Sequence, residues 1–180
     1  RLLWPPSIGE IMAKLREPLR EIAECGLPAA LEAVGERWSF MILRASFNGV
    51  HHFEEFLSEL SIARNILSGR LSKLVEVGIL KRTPSPDDRR KIIYQLTDKG
   101  LDLLPAMIAL RQWGERWETG VPSNPVLCDE RDRRPIKPVS IRAHDDREID
   151  HQGLCWIDES ELRERGRDGE SQAVKKLAAI

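Results

Sequence analysis

Residues 61–97, SIARNILSGRLSKLVEVGILKRTPSPDDRRKIIYQLT, put an amphipathic helix directly before two short apolar runs joined by a polar, basic turn. Few architectures accommodate that order. Leu67, Leu71 and Leu74 recur at i, i+4 and i+7, which at about 100° per residue makes one narrow buried stripe and predicts a helix over 62–77. Asn65, Gly69 and Ser72 fall on the opposite side, with Arg64, Ser68, Arg70 and Lys73 around them. A solvated helix face is usually rich in Glu and Lys, whereas small hydrogen-bonding side chains suit close approach to another surface. Ser61 is the expected N-cap, because its hydroxyl can accept from an unpaired donor of the first turn. Gly78 is the expected terminator. A strand is expected over 79–83, ended by Pro84-Ser85-Pro86 because a proline removes a ladder donor. Its partner is expected over 90–96, with Ile93 and Gln95 on one face and Ile92, Tyr94 and Leu96 on the other.

Charge is concentrated in the same stretch. Residues 61–100 hold nine Lys or Arg against four acids, a net of +5 in a chain whose total is −1. The neutral total therefore hides a basic patch where the helix and hairpin lie. Duplex DNA carries about one negative charge per 1.7 Å of axis, so a local excess bears on DNA binding more than the overall pI does. Asn65 and Arg64, near the helix start, are the candidate base-edge readers, Asn suiting adenine and Arg guanine. Ser68 and Ser72 are placed for phosphate or base, and Arg70 and Lys73 for the backbone. Arg89, Arg90 and Lys91 follow the turn and are placed for phosphates or an adjacent minor groove. The alternative for Arg70 or Lys73 is pairing with an acid such as Glu76.

Upstream, residues 8–23 carry a helical stripe interrupted by Pro18 and form an N-terminal arm. A short helix is expected over 27–34, with Leu31 and Val34 on one side and Gly35 as a left-handed terminator. Residues 38–47 are apolar nearly all round and predict the central helix of the core. Asn48-Gly49 signals a turn, and 52–60 then place Phe53, Phe56, Leu57 and Leu60 at helical spacing. Downstream, Thr97 is expected to cap a long helix reaching about residue 117. Its apolar stripe, Leu101, Leu104, Ile108, Trp113 and Trp117, exceeds what a small domain can cover, so part of it is expected to meet a second subunit.

These residues resemble the HxlR-type winged helix-turn-helix transcriptional regulators of bacteria. The resemblance rests on Cys25 followed by Gly35-Glu36-Arg37-Trp38, on Ile42-Leu43-Arg44, and on Phe53-Glu54-Glu55-Phe56-Leu57. It continues through Ile62-Ala63-Arg64-Asn65-Ile66-Leu67-Ser68 with Arg70-Leu71 and Leu74, through Gly78-Ile79-Leu80, through 94–100 and through Trp113-Gly114. It implies a homodimer, paired through its first and last helices, that sets a recognition helix and a wing on each half of an inverted repeat in double-stranded DNA. Leu31, Leu104, Ile108, Trp113 and Trp117 are the expected interface residues. Some members of the resembled family respond to electrophiles through the cysteine matched by Cys25, although Glu21 and Glu24 beside it disfavour a thiolate. One departure is Gly69, where relatives usually carry a longer polar or charged residue.

The expected class is therefore mostly α with a small β-wing: a winged helix-turn-helix domain over 25–118, dimerising through terminal helices, after an arm over 1–24. The remainder, 119–180, reads as a polar extension with 11 basic and 13 acidic residues from Val121 on. In it, 126–128 and 136–143 suggest a hairpin, and 158–180 a polar helix or disorder. Cys128, His144, His151 and Cys155 are zinc-ligand types, but without a C-x-x-C pair no metal site or cofactor is assigned. Three widely spaced cysteines do not describe a disulfide framework. With no long apolar run and no secretion signal at the start, the expectation is a cytoplasmic protein without a membrane partner. The first residue is not Met, so the native start is expected at Met12 or earlier. His51-His52 with Glu54 and Glu55 bring acid–base residue types, yet adjacent histidines should point to different sides and no nucleophile or phosphate loop accompanies them. No catalytic residue is assigned. A winged-helix module that binds protein instead of DNA is the alternative. An effector could occupy a pocket between the core and the last helix, and no motif names one.

Overall fold

In the computed structural model, helices α1 (Gly26–Val34), α2 (Arg37–Phe47), α3 (Phe53–Leu60) and α4 (Arg64–Glu76) precede strands β1 (Leu80–Pro84) and β2 (Ile92–Leu96). Residues 25–157 and 161–162 are described. The expected arm, with Glu21 and Glu24, and nearly all of 158–180 lie outside them. The chain divides between Val139 and Ser140, so 119–139 group with the winged unit and not with the residues that follow.

Helix α2 is central because its sequence leaves it almost no polar side. Ile42 and Leu43 are wholly buried and Ser39 and Ala45 nearly so, and the helix packs against α3, α4 and β2. Glu36 starts it, accepting from Ser39 N at 3.0 Å and Ser39 Oγ at 2.8 Å, which satisfies the one buried hydroxyl of the helix. Helix α3 contributes Phe56, wholly buried. Glu55, its third residue, accepts from the backbone of His51 and His52 at 3.2 and 3.0 Å. From α4 come Leu67, Leu71 and Leu74, buried to within 1%. At roughly 1.5–3 kcal/mol for each side chain removed from water, this triplet is what seats α4 on the core.

Several local expectations need correction. Ser61 is not the N-cap of α4: it ends α3 in the left-handed region at φ 48°, and Ala63 stands at the cap with no side-chain acceptor. The turn between the helices needs a left-handed residue there, and that takes Ser61 out of capping position. Gly35 is not left-handed (φ −71°). Its glycine serves packing instead, since a Cβ would run into the Leu31 carbonyl. Gly78 does terminate α4 left-handed at φ 74°. Ile79 N donates to Leu74 O at 2.9 Å and Gly78 N to Val75 O at 3.0 Å, the paired bonds of a Schellman turn.

Strand β1 runs through Pro84 instead of stopping before it. Pro84 opposes Ile92, and Ser85 N donates to Lys91 O at 2.8 Å. By antiparallel alternation the Pro84 nitrogen turns away from β2, where no donor is required. Strand β2 starts at Ile92, leaving Arg89, Arg90 and Lys91 in the turn. Its far edge is also used, because Tyr94 N donates to His51 O at 2.8 Å. Ile93 is buried, Ile92, Tyr94 and Leu96 are half-buried and Gln95 is exposed.

The long helix after Thr97 is interrupted. Thr97 caps α5 (Asp98–Leu101), accepting from Gly100 N at 3.2 Å, and the chain restarts as α6 (Leu104–Gly114). Pro105 is the cause: it lacks a donor, and in a continuous helix its ring would clash with the Leu101 carbonyl. A π-helical turn, Glu115–Thr119, extends α6 to Gly120. No residue of α6 is buried.

The expected hairpin of the extension forms in part: Ile136 N donates to Leu127 O at 3.1 Å beside an isolated antiparallel bridge of Cys128 with Pro135, while Ile141 goes elsewhere, β3 (Ile141–Arg142) pairing antiparallel with β4 (Glu148–Ile149). Asp146, left-handed at φ 64°, turns the chain in the loop between Arg142 and Glu148, and closing that short loop costs less entropy than pairing across a longer one. Among the described residues no helix is long and apolar enough to cross a membrane.

Candidate nucleic-acid interface

The burial of Leu67, Leu71 and Leu74 orients α4 and turns Asn65, Ser68, Gly69 and Ser72 outward, all exposed. Among the described residues none of these side chains has a hydrogen-bond partner in the protein, so their donors and acceptors face open solvent. A Cβ at Gly69 would likewise meet nothing within 4 Å. The backbone of α4 is therefore bare at the middle of its outer face.

The cations behave differently. Arg64 lies on the flank turned toward α3 and forms a two-pronged pair with Glu54, Nη1 to Oε1 at 2.8 Å and Nη2 to Oε2 at 3.0 Å. Its guanidinium also sits 5.3 Å from the centre of the Phe53 ring. The Arg64 donors hold the Glu54 carboxyl below its ordinary pKa, and the same pairing raises that of Arg64. On the other flank Arg70 Nε reaches Glu36 at 2.8 Å, not Glu76. Lys73 is 3.9 Å from Glu76, a loose contact. Both exposed and half-exposed pairs of this kind contribute little stability.

On the wing, Arg90 pairs with Asp88 at 3.1 Å and lowers the pKa of that carboxyl. Arg89 and Lys91 are exposed, and among the described residues neither side chain forms an ion pair within 4 Å, although the Lys91 charge also acts on Asp88. The +5 counted along 61–100 thus overstates the free positive charge, because Glu36 and Glu54 enter from outside that stretch. No local sequence signal marks them. Glu54 lies ten positions before Arg64 and only the turn between helices brings them together.

Cys25 is half-buried at the N-cap of α1, and Cys25, Cys128 and Cys155 are all free thiols. Leu31 on α1 is 54% exposed, and Leu104, Trp113 and Trp117 on the last helix are 40, 53 and 64% exposed. Ile108 is half-buried. A cavity of about 660 Å³ lies between α6 and residues 120–139, with Ile108, Trp117, Val121, Leu127 and Ile136 in its walls. This is not the expected place between core and last helix. Gln112 and Arg111 tie its walls together, Gln112 accepting from Val139 N at 2.7 Å and Arg111 donating to Pro125 O at 2.7 Å. The histidine rings also lie together, not on different sides, with centroids 4.5 Å apart. Each is used locally: His51 Nδ1 meets Gly49 O at 2.6 Å and His52 Nδ1 meets Ile92 O at 3.3 Å.

Residues 33–121 match the model of the HxlR-like helix-turn-helix family. Over 88 residues the chain is 47% identical to Rv3095 of Mycobacterium tuberculosis, an uncharacterised HTH-type transcriptional regulator. That match spans 49% of this chain and only 56% of the relative's length. YvaP of Bacillus subtilis, another HTH-type transcriptional regulator, is 33% identical over 89 residues, 49% of this chain and 82% of YvaP. Among solved structures, PA1607, a candidate transcription factor, superposes with a TM-score of 0.71 at 31% identity, covering 79% of this chain and 99% of its own. The likeness to PA1607 thus extends over more of the chain than the family model does. With a leucine-seated helix, a two-stranded wing and these matches in one chain, the protein belongs to the HxlR-like helix-turn-helix family.

Proposed function

We propose that the chain is a DNA-binding transcriptional regulator, acting in the cytoplasm as a homodimer on an inverted repeat. In this reading α4 of each protomer enters the major groove and the wing, β1 to β2, lies along the backbone. The observation that carries it is the division of α4 into a face locked on the core and a face of exposed, unengaged Asn65, Ser68 and Ser72 around a bare Gly69. Base edges in the major groove present distinct donor and acceptor patterns, and an unengaged amide is what reads them. The wing supplies Arg89 and Lys91 directly and Arg90 after it leaves Asp88. Arg64, Arg70 and Lys73 bind DNA from the flanks, each in exchange for its acid. Dimerisation is supported by the uncovered apolar faces of α1 and α6, with Leu31, Leu104, Trp113 and Trp117 exposed and Ile108 beside them. In domain terms, 25–118 form the reading and pairing unit, 119–139 group with it, and the extension begins at Ser140.

Electrophoretic retardation with short random duplexes at low salt tests the reading. It predicts retention that collapses between low and moderate salt, because phosphate contacts release counterions. A winged-helix module for a protein partner is favoured by one observation, the acid pairing of Arg64, Arg70 and Arg90. Absence of retained duplex at any salt would select it.

A further inference from the structure

The two arginines on the flanks of α4 are both held by carboxylates from elsewhere in the fold, Arg64 by Glu54 of α3 and Arg70 by Glu36, the N-cap of α2, and the two holds differ. Glu36 is occupied with or without Arg70, since Ser39 N and Ser39 Oγ donate to the same oxygen. Glu54 has no second duty of this kind. Among the described residues the only side chain donating to it is Arg64, which takes both of its oxygens. The backbone donors just ahead of α3, His51 N and His52 N, are already taken by Glu55. Both members of the Glu54–Arg64 pair are largely exposed, at 71% and 65%, so no core packing depends on it.

The edge of Arg64 that Glu54 occupies is the informative one. A guanidinium recognises a phosphate, or the O6 and N7 of guanine, through two parallel N–H donors, and a carboxylate presents acceptors in the same geometry. Glu54 fills that edge while the Phe53 ring backs the guanidinium. We propose that Glu54 sets the specificity of the α4 surface: it occupies the two-pronged edge of Arg64 in place of a nucleic-acid acceptor, so a duplex gains from Arg64 only where its contacts outcompete the carboxylate. This rests on the DNA-binding reading given above. On random sequence a lone phosphate, screened by salt, does not displace Glu54, and Arg64 releases no counterion there. On a site offering a well-placed guanine it does.

The test uses the full chain and a short random-sequence duplex titrated across salt concentrations. Glu54→Gln keeps the shape of the side chain and removes its charge. Because exposed pairs are weak, binding should tighten about threefold to fivefold, and the dependence of log affinity on log salt should steepen by about one. Adding Arg64→Ala to that variant should abolish both gains. Glu59→Gln removes the same charge from the same helix, where among the described residues no cation is attached, and should reproduce neither gain in full. Unchanged affinity and slope in Glu54→Gln overturn the inference, as does a gain that survives Arg64→Ala or is matched by Glu59→Gln, since either means bulk charge alone. A wild-type chain that retains no duplex at low salt overturns the DNA-binding reading, and this inference with it.

Discussion

Gly69 sits in the middle of a helix at a place where the fold has no use for a glycine: a Cβ there would meet nothing, and its φ is not left-handed. Helix interiors disfavour glycine relative to alanine by about 0.5–1 kcal/mol. Gly69→Ala should therefore stabilise the protein by about that amount in urea unfolding, and unchanged or lowered stability would show that the glycine serves the fold after all. Asn65→Ala should leave stability alone and relax base preference, whereas Arg89→Ala should weaken all duplexes and flatten the salt dependence by about one. The reverse pattern would exchange their roles. At Glu55 the backbone donors of His52 and His51 depress the carboxyl pKa. The folded value lies below the unfolded one, so the associated stability is present above about pH 4.3 and lost as pH falls through the folded value. Unfolding midpoints should drop in that acidic window for wild type and less for Glu55→Gln. The residues on the outer face of α4 were legible from periodicity alone. Their acidic partners were not, because Glu36 and Glu54 come from helices that only the tertiary fold brings alongside.

The elements followed the sequence where burial decided them and departed from it where backbone geometry did. Leu67, Leu71 and Leu74 fixed both the existence and the facing of α4, and Phe56 did the same for α3. Leu71→Ala should cost about 2–5 kcal/mol and loosen the seat of α4. A loss under 1 kcal/mol by chemical unfolding would mean the helix is not anchored there. Gly35 does end α1, but its left-handed conformation and the cap at Ser61 were misread because both depend on φ values that composition does not encode. Pro105 was visible in the sequence, and its missing donor and ring account for the break between α5 and α6. In the extension the pairing of 127–128 with the chain at 135–136 was legible, whereas the partner of Ile141, Glu148–Ile149, was not marked by alternation.

For the whole molecule, the apolar residues left uncovered on α1 and α6 make dimerisation the expected state. Trp113→Glu puts a charge at the centre of that surface. It should shift sedimentation equilibrium from dimer toward monomer while leaving helix content unchanged, and a wild type that sediments as a monomer would remove the twofold account. If Cys25 responds to oxidants, diamide should change duplex affinity in wild type and not in Cys25→Ser, and equal behaviour would exclude that role. The central claim is that the outer face of α4 and the wing address double-stranded DNA in twinned copies. Selection of bound fragments from random duplex DNA tests it most directly. The account predicts enrichment of an inverted repeat with half-site centres about 10 bp apart, or a multiple of it, and failure to enrich any duplex, or recovery of a single unpaired half-site, would contradict it.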